Sequence, residues 1–342
     1  MLRKLTMVVV AALPVLAGCT SDAIGDHPCA PIPAPGVTSA EGWLGRISAE
    51  PDNISIAVDD GKGHTAGRRG DDQQPIASAM KVVPLAAYAR AVATGTLDPQ
   101  ERVPVTEWER WYLPGTDGGA HEQARTRMPG DTVTLDQMVS AMIRESDNAV
   151  PDYLRDRLGD RALAEAAEAG GWDDYSPSTK LGDVIRLLEP GTVDVWSAAR
   201  RYAADPVYRE MMRSRPLPPY PVQASWADTT PTASAHQLAS MHRSIATGSF
   251  GPGTDIARGQ LEWLPAPDGY VAMGLKGGSF PGVLADAFYL RRADGTAATA
   301  VLLDRRMPET TWLTALQTLS EQEVLIRAMM EPEMLRRLTC SL

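Results

Sequence analysis

Residues 77–93 read Ala-Ser-Ala-Met-Lys-Val-Val-Pro-Leu-Ala-Ala-Tyr-Ala-Arg-Ala-Val-Ala, a run almost without charge. So apolar a stretch must be covered on nearly every side, which predicts a helix buried in the centre of a large fold. Ser78 and Lys81 are polar exceptions at its start, three apart and therefore on one face. A serine hydroxyl is a weak nucleophile until a base stands beside it. Lysine becomes that base when burial and nearby positive charge disfavour its ammonium form. Pro84 removes an N–H from the early turns, so a local irregularity is expected there.

Ser-x-x-Lys recurs by chance, and lysine usage sharpens it. Of 33 Lys and Arg residues only five are lysines: Lys4, Lys62, Lys81, Lys180 and Lys276. Arginine cannot release its proton to act as a base. A chain that elsewhere uses arginine keeps lysine at 81 and 276, two positions of the constellation described below.

With 342 residues, 44% of them hydrophobic, the chain can bury a full core in one large domain or two smaller ones. The net charge of −10 and the lack of any Lys/Arg cluster argue against a nucleic-acid partner. His27, His64, His121, His236 and His242 are scattered without metal-ligand spacing, so neither a metal nor a cofactor is expected. A monomer is expected.

The N-terminus speaks to compartment. Arg3 and Lys4 precede an apolar stretch at residues 5–16, too short to remain as a membrane span. It ends in Leu16-Ala17-Gly18-Cys19, which resembles a bacterial lipobox. Residues 1–18 would then be a lipoprotein signal peptide. Cys19 would be lipidated, and the chain exported and anchored to the outer face of the cell membrane. An ordinary secretory signal is the alternative. In an oxidising compartment Cys29 and Cys340 either bridge or stay free thiols. Prolines at 28, 31, 33 and 35 mark residues 19–40 as a flexible linker without packed structure, ahead of one domain at 41–342.

Within that domain a short helix is expected near 41–49 and strands at 53–58 and 64–69. Residues 95–131 are loop-rich, with Trp108, Trp111 and Tyr112 serving either core or site wall. Thr134 should cap a helix through Ile143, and another should run to about Ala169, stopped by Gly170 and Gly171. The prolines at 216–221 forbid regular structure. Asp228-Thr229-Thr230-Pro231-Thr232 should cap a helix over 233–246. Strands at 269–274, 285–291 and 297–303 and a long helix over 311–330 close the chain. Strands at both ends around a helical middle predict an α/β fold, with an antiparallel sheet built from both termini and flanked by helices. Its α/β part is expected at about 41–90 and 231–342, and its helical subdomain at about 91–230.

Ser78-x-x-Lys81, Ser146-Asp147-Asn148 and Lys276-Gly277-Gly278 occur in that order. With their flanks, including Gly95-Thr96-Leu97-Asp98 and Asp228-Thr229-Thr230-Pro231, they resemble the class A serine β-lactamase and penicillin-binding protein superfamily. The resemblance covers roughly residues 43–325 and implies a β-lactamase/transpeptidase-like fold. It implies that Ser78 is acylated, Lys81 takes its proton, and Ser146 relays a proton to the leaving nitrogen. Asn148 and Lys276 would bind substrate, and backbone N–H groups of Ser78 and Ser279, next to Gly278, would form an oxyanion hole. Taken alone, Ser146-Asp147-Asn148 reads as a helix cap and Lys276-Gly277-Gly278 as a turn.

The departures bear on substrate. Gly277 offers no hydroxyl, and residues 283–287 supply no arginine for a substrate carboxylate. The Glu-x-x-Leu-Asn of the deacylating loop is missing, Glu189-Pro190 being the nearest fragment. The expectation is an exported serine hydrolase forming an acyl-enzyme on Ser78 with a β-lactam, peptide or ester carbonyl. The alternatives are a penicillin- or peptidoglycan-binding lipoprotein with little turnover, or a cell-wall peptidase or esterase.

Overall fold

The structure, a computed structural model, describes residues 28–342; the lipobox and Cys19 lie outside the described residues. Helix α1 (Ala40–Ala49) leads into strands β1 (Ile54–Asp59) and β2 (Thr65–Arg68). Short β3 (Gln74–Pro75) precedes a 3-10 turn (Ala77–Lys81) that continues as α2 (Val82–Ala93). The helical part begins with β4 (Arg102–Pro104), α3 (Val105–Glu109), α4 (Ala120–Arg127) and β5 (Thr132–Thr134). Helices α5 (Leu135–Arg144), α6 (Ala149–Ala169), α7 (Lys180–Leu188), α8 (Val195–Ala204), α9 (Pro206–Arg213) and α10 (Tyr220–Ala227) complete it. After β6 (Thr232–Ala233), α11 (Ala235–Thr247) and α12 (Thr254–Leu261), the chain returns to the sheet. There it forms β7 (Ala272–Phe280), β8 (Val283–Arg291) and β9 (Ala297–Asp304). Helices α13 (Glu309–Thr318), α14 (Ser320–Met330) and α15 (Pro332–Ser341) close it.

The main sheet has the order β2-β1-β9-β8-β7 and is antiparallel throughout. This is the α/β architecture expected from the sequence, a sheet assembled from both ends of the chain. Side chains alternate faces along a strand. In β8, Leu284, Phe288 and Leu290 join Trp43, Ile47, Leu325 and Leu335 in one core, under α1, α14 and α15. Ala285, Ala287 and Tyr289 face the other core with Tyr88 of α2 and Leu238 of α11. Covered on both faces, β8 reads as an apolar run rather than an alternating one.

Several boundaries differ from expectation. The proposed linker is packed from Val37 onward: Val37 is buried, and its carbonyl accepts from the Thr318 and Ser320 hydroxyls at 2.6 and 2.9 Å. The irregularity expected at Pro84 falls just before it, as the 3-10 turn. Pro84 itself sits in the first turn of α2, where a missing N–H costs nothing. The proline cluster ends in a helix, because Pro221 occupies the first turn of α10. The cap of α11 is Ser234, in a capping box with Gln237, not the segment at 228–232. The long terminal helix is two, broken at Leu319 with φ of 50°, followed by a third. The third-motif strand runs further than 269–274, so Lys276, Gly277 and Gly278 lie in the middle of β7 rather than in a turn.

Cys29 and Cys340 are joined by a disulfide, with Cα atoms 5.7 Å apart, tying the start of the described chain to its last helix. Closing so long a loop restricts the unfolded chain, an effect worth about 2–4 kcal/mol. Cys340→Ser should therefore melt earlier than the parent in calorimetry under non-reducing conditions; coincident melting curves would show that the bridge adds nothing.

Candidate active site

Strand β7 is an edge of the sheet, and its free edge lies against the 3-10 turn. A Cβ added at Gly278 would stand 2.3 Å from the Ser78 nitrogen and 2.6 Å from that of Ala79, so only glycine allows this approach. Within a 3-10 turn, residues i and i+3 stack over one another. Ser78 and Lys81 meet in this way, with Lys81 Nζ 3.0 Å from Ser78 Oγ.

Four oxygens surround that amine. Lys81 Nζ donates to Asn148 Oδ1 and to the Ser146 carbonyl, each at 2.6 Å. It also lies 3.1 Å from Ser146 Oγ. Two of the four can only accept, which matches the two N–H bonds of a neutral amine. The lone pair is then left for a hydroxyl, Ser78 or Ser146. Ser146 Oγ bridges to Lys276 Nζ at 3.1 Å, and Lys276 also donates to the Gly277 carbonyl at 2.7 Å.

The electrostatics point the same way. Burial, then the charges of Lys276 and Lys180, holds the Lys81 pKa well below the ordinary lysine range. Burial brings Lys276 down to about 7 against the pull of Asp286, and brings Lys180 down to about 8. Arginine in any of these positions would stay charged.

The second motif is both helix cap and site. Asp147 Oδ1 accepts from the Ala149 and Val150 amides at 2.9 Å and from Trp108 Nε1 at 3.1 Å. Its Oδ2 meets His121 Nδ1 at 2.6 Å. Ser146 beside Asp147 is left-handed, φ 72°, and turns its carbonyl and hydroxyl to Lys81. Burial opposes charge on His121, but Asp147 outweighs it and raises the His121 pKa. Trp108, Trp111 and Tyr112 are buried and belong to the core.

Ser78, Lys81, Ser146, Asn148, Lys276 and Gly278 are thus brought together. The Ser279 side chain is engaged elsewhere: its Oγ accepts from Trp312 Nε1 at 2.8 Å and donates to the Val283 carbonyl. Two participants carry no motif of their own in the sequence, His121 behind Asp147 and Lys180, whose Nζ donates to the Ala77 carbonyl at 2.6 Å. The scarcity of lysine is the signal that marks Lys180.

The family model described as the β-lactamase enzyme family matches residues 44–253. The chain belongs to that family. Beta-lactamase SME-1 of Serratia marcescens is 30% identical over 118 residues, 34% of this chain; the chain spans 35% of that relative's length. A β-lactamase structure from Sphaerobacter thermophilus superposes with a TM-score of 0.56 at 19% identity, covering 84% of this chain and 96% of that one. The class A β-lactamase of Mycobacterium abscessus gives 0.54 at 16% identity, covering 82% and 96%. A PBP-A variant, in a structure titled as an acyl-enzyme complex with penicillin G, gives 0.51 at 18% identity, covering 85% and 99%. At these identities the structural likenesses establish the fold.

Carboxylates act on this β-lactamase-family site through space, Asp147 and Asp117 on Lys81 and Asp286 on Lys276, without a hydrogen bond to its reacting groups. Among the described residues, no Asp or Glu oxygen is hydrogen-bonded to Ser78, Lys81, Ser146, Asn148 or Lys276. Glu189 ends α7, where it accepts from Tyr208 Oη at 3.0 Å and Arg215 Nη2 at 3.3 Å. At Gly277 a Cβ would stand 2.7 Å from Asp286 Oδ1, so a side chain there requires that carboxylate to shift.

Gly278→Ala should push β7 off the Ser78 turn while leaving both cores intact. Loss of acylation by about 100-fold or more is expected, read as covalent labelling of Ser78 in a variant with unchanged circular dichroism. Labelling at the parental rate would contradict the packing described.

Proposed function

We propose that this chain is an exported serine hydrolase that forms an acyl-enzyme on Ser78 and releases a β-lactam-derived acyl group slowly. Family membership supports the coarser statement, a serine-hydrolase, β-lactamase-type function on a small-molecule or peptidoglycan-type substrate. The observation that carries the finer one is the Lys81 amine, buried, depressed in pKa and 3.0 Å from Ser78 Oγ.

In the acylation step Ser78 Oγ attacks the carbonyl carbon as its proton passes to Lys81 Nζ. The carbonyl oxygen gains negative charge facing the N–H groups of Ser78 and Ser279, each such donor being worth about 3–4 kcal/mol. The C–N bond then breaks, and the nitrogen takes a proton from Ser146 Oγ, which Lys81 replenishes. Asn148 holds the substrate amide, and Lys276 offers positive charge at the far end. Attachment at Cys19 would keep this chemistry at the outer membrane face.

Slow release is inferred because no carboxylate is hydrogen-bonded to Ser78, Lys81 or Ser146, and an acyl ester waits for a base to activate water. This favours a second reading in the same site, a penicillin binder with little turnover, and adduct lifetime divides the two. Intact mass of the protein after mixing with penicillin G should rise by the whole β-lactam, since ring opening expels no fragment. The adduct should persist, and Ser78→Ala should show none. No adduct on the parent at long times and high concentration would sink the proposal, and rapid return to free enzyme would leave a true β-lactamase.

A further inference from the structure

Lys180 enters the site from behind. It stands at the first position of α7, where Thr179 caps the helix and Asp152 of α6 accepts from the Lys180 and Leu181 amides at 3.2 and 2.7 Å. Its side chain crosses a small apolar cluster of Ala77, Ala227, Phe280 and Val283, with Nζ 5.0 Å from the Phe280 ring centroid. The amine, in a residue only 2% exposed, donates to the Ala77 carbonyl at 2.6 Å. Asp183 and Asp152 face it from α7 and α6.

The Ala77 carbonyl and the Ser78 N–H belong to one peptide unit. That unit is planar, so fixing the oxygen at one end fixes the direction of the N–H at the other. Ala77 has φ of 44°, a left-handed conformation that a residue with a Cβ adopts only when its surroundings hold it there. The Ser78 nitrogen is the one that Gly278 approaches so closely. A donor on the carbonyl also polarises the peptide and strengthens its N–H as a donor, the more so when the amine is charged.

We infer that Lys180 is a positioning residue for the oxyanion hole: it grips the Ala77 carbonyl and thereby aims and polarises the Ser78 N–H. The inference rests on acylation of Ser78 as proposed above. It accounts for a lysine buried far from any sequence motif, and it gives the third amine a task separate from proton transfer.

The test compares the parent with Lys180→Met, which removes the donor, and Lys180→Gln, which keeps a neutral one. Penicillin G acylation, followed by intact mass, should slow on the order of ten-fold in Lys180→Met, less than the loss of a whole oxyanion donor, and partly recover in Lys180→Gln. The infrared carbonyl stretch of the penicilloyl ester should move to higher wavenumber in Lys180→Met, because a weaker oxyanion donor leaves a stiffer C=O bond. A merely structural loss would lower the amount of active protein without moving that band. If Lys180→Met does not fold, as judged by its melting curve, Lys180→Gln carries the test, with a smaller shift in the same direction. Equal rates and an unmoved band in a folded variant overturn the inference while the acyl-enzyme reading stands. Absence of any adduct on the parent removes that reading and this inference with it.

Discussion

The burial of amines beside Ser78 is the constraint on which the site depends. Three of the five lysines, at 81, 180 and 276, converge there from the 3-10 turn, α7 and β7. Water would leave each of them charged; burial shifts each toward its neutral form. Lys276 and Lys180 both depress Lys81, and Lys180 depresses Lys276 as well. The fold sets carboxylates against that penalty, Asp286 facing Lys276 and Asp183 and Asp152 facing Lys180.

The same packing sets the geometry. The glycine at 278 lets an edge strand meet the 3-10 turn, and the turn stacks Ser78 over Lys81. Asp147, buried and bound by four donors, holds the opposite wall at the start of α6. Two residues of the site are left-handed, Ala77 and Ser146, and the carbonyl of each is held by a buried lysine, Lys180 and Lys81 respectively. Strain of this kind persists only where the surroundings over-determine it.

Much of this was legible in the sequence. The apolar run at 77–93, the glycine stops at 170 and 171 and the Thr134 cap are local signals, and local signals survive into the fold. The helix breaks at Leu319 and the true cap at Ser234 were less legible, because neighbouring Thr and Ser residues offer equally good caps until packing selects one. Lys180 and His121 act on partners 103 and 26 residues away, and no local pattern encodes such meetings. Lysine scarcity marks Lys180 as unusual without saying what it touches. The second motif carried two valid readings, cap and site, and Asp147 serves the first while Ser146 and Asn148 serve the second.

The chemistry turns on Lys81 holding its amine pKa well below the ordinary lysine range. The direct measurement is the rate of Ser78 labelling by a fluorophosphonate from about pH 5 to about pH 11, with Ser78→Ala as the blank. Because the folded protein lowers the Lys81 pKa, the active, unprotonated form should appear well below the pH at which an ordinary lysine releases its proton. The acid limb should then lie far below 10.5, the ordinary lysine value. A rate that climbs only as the pH approaches 10.5 would mean that Lys81 is an ordinary ammonium, and that Ser78 has no base beside it.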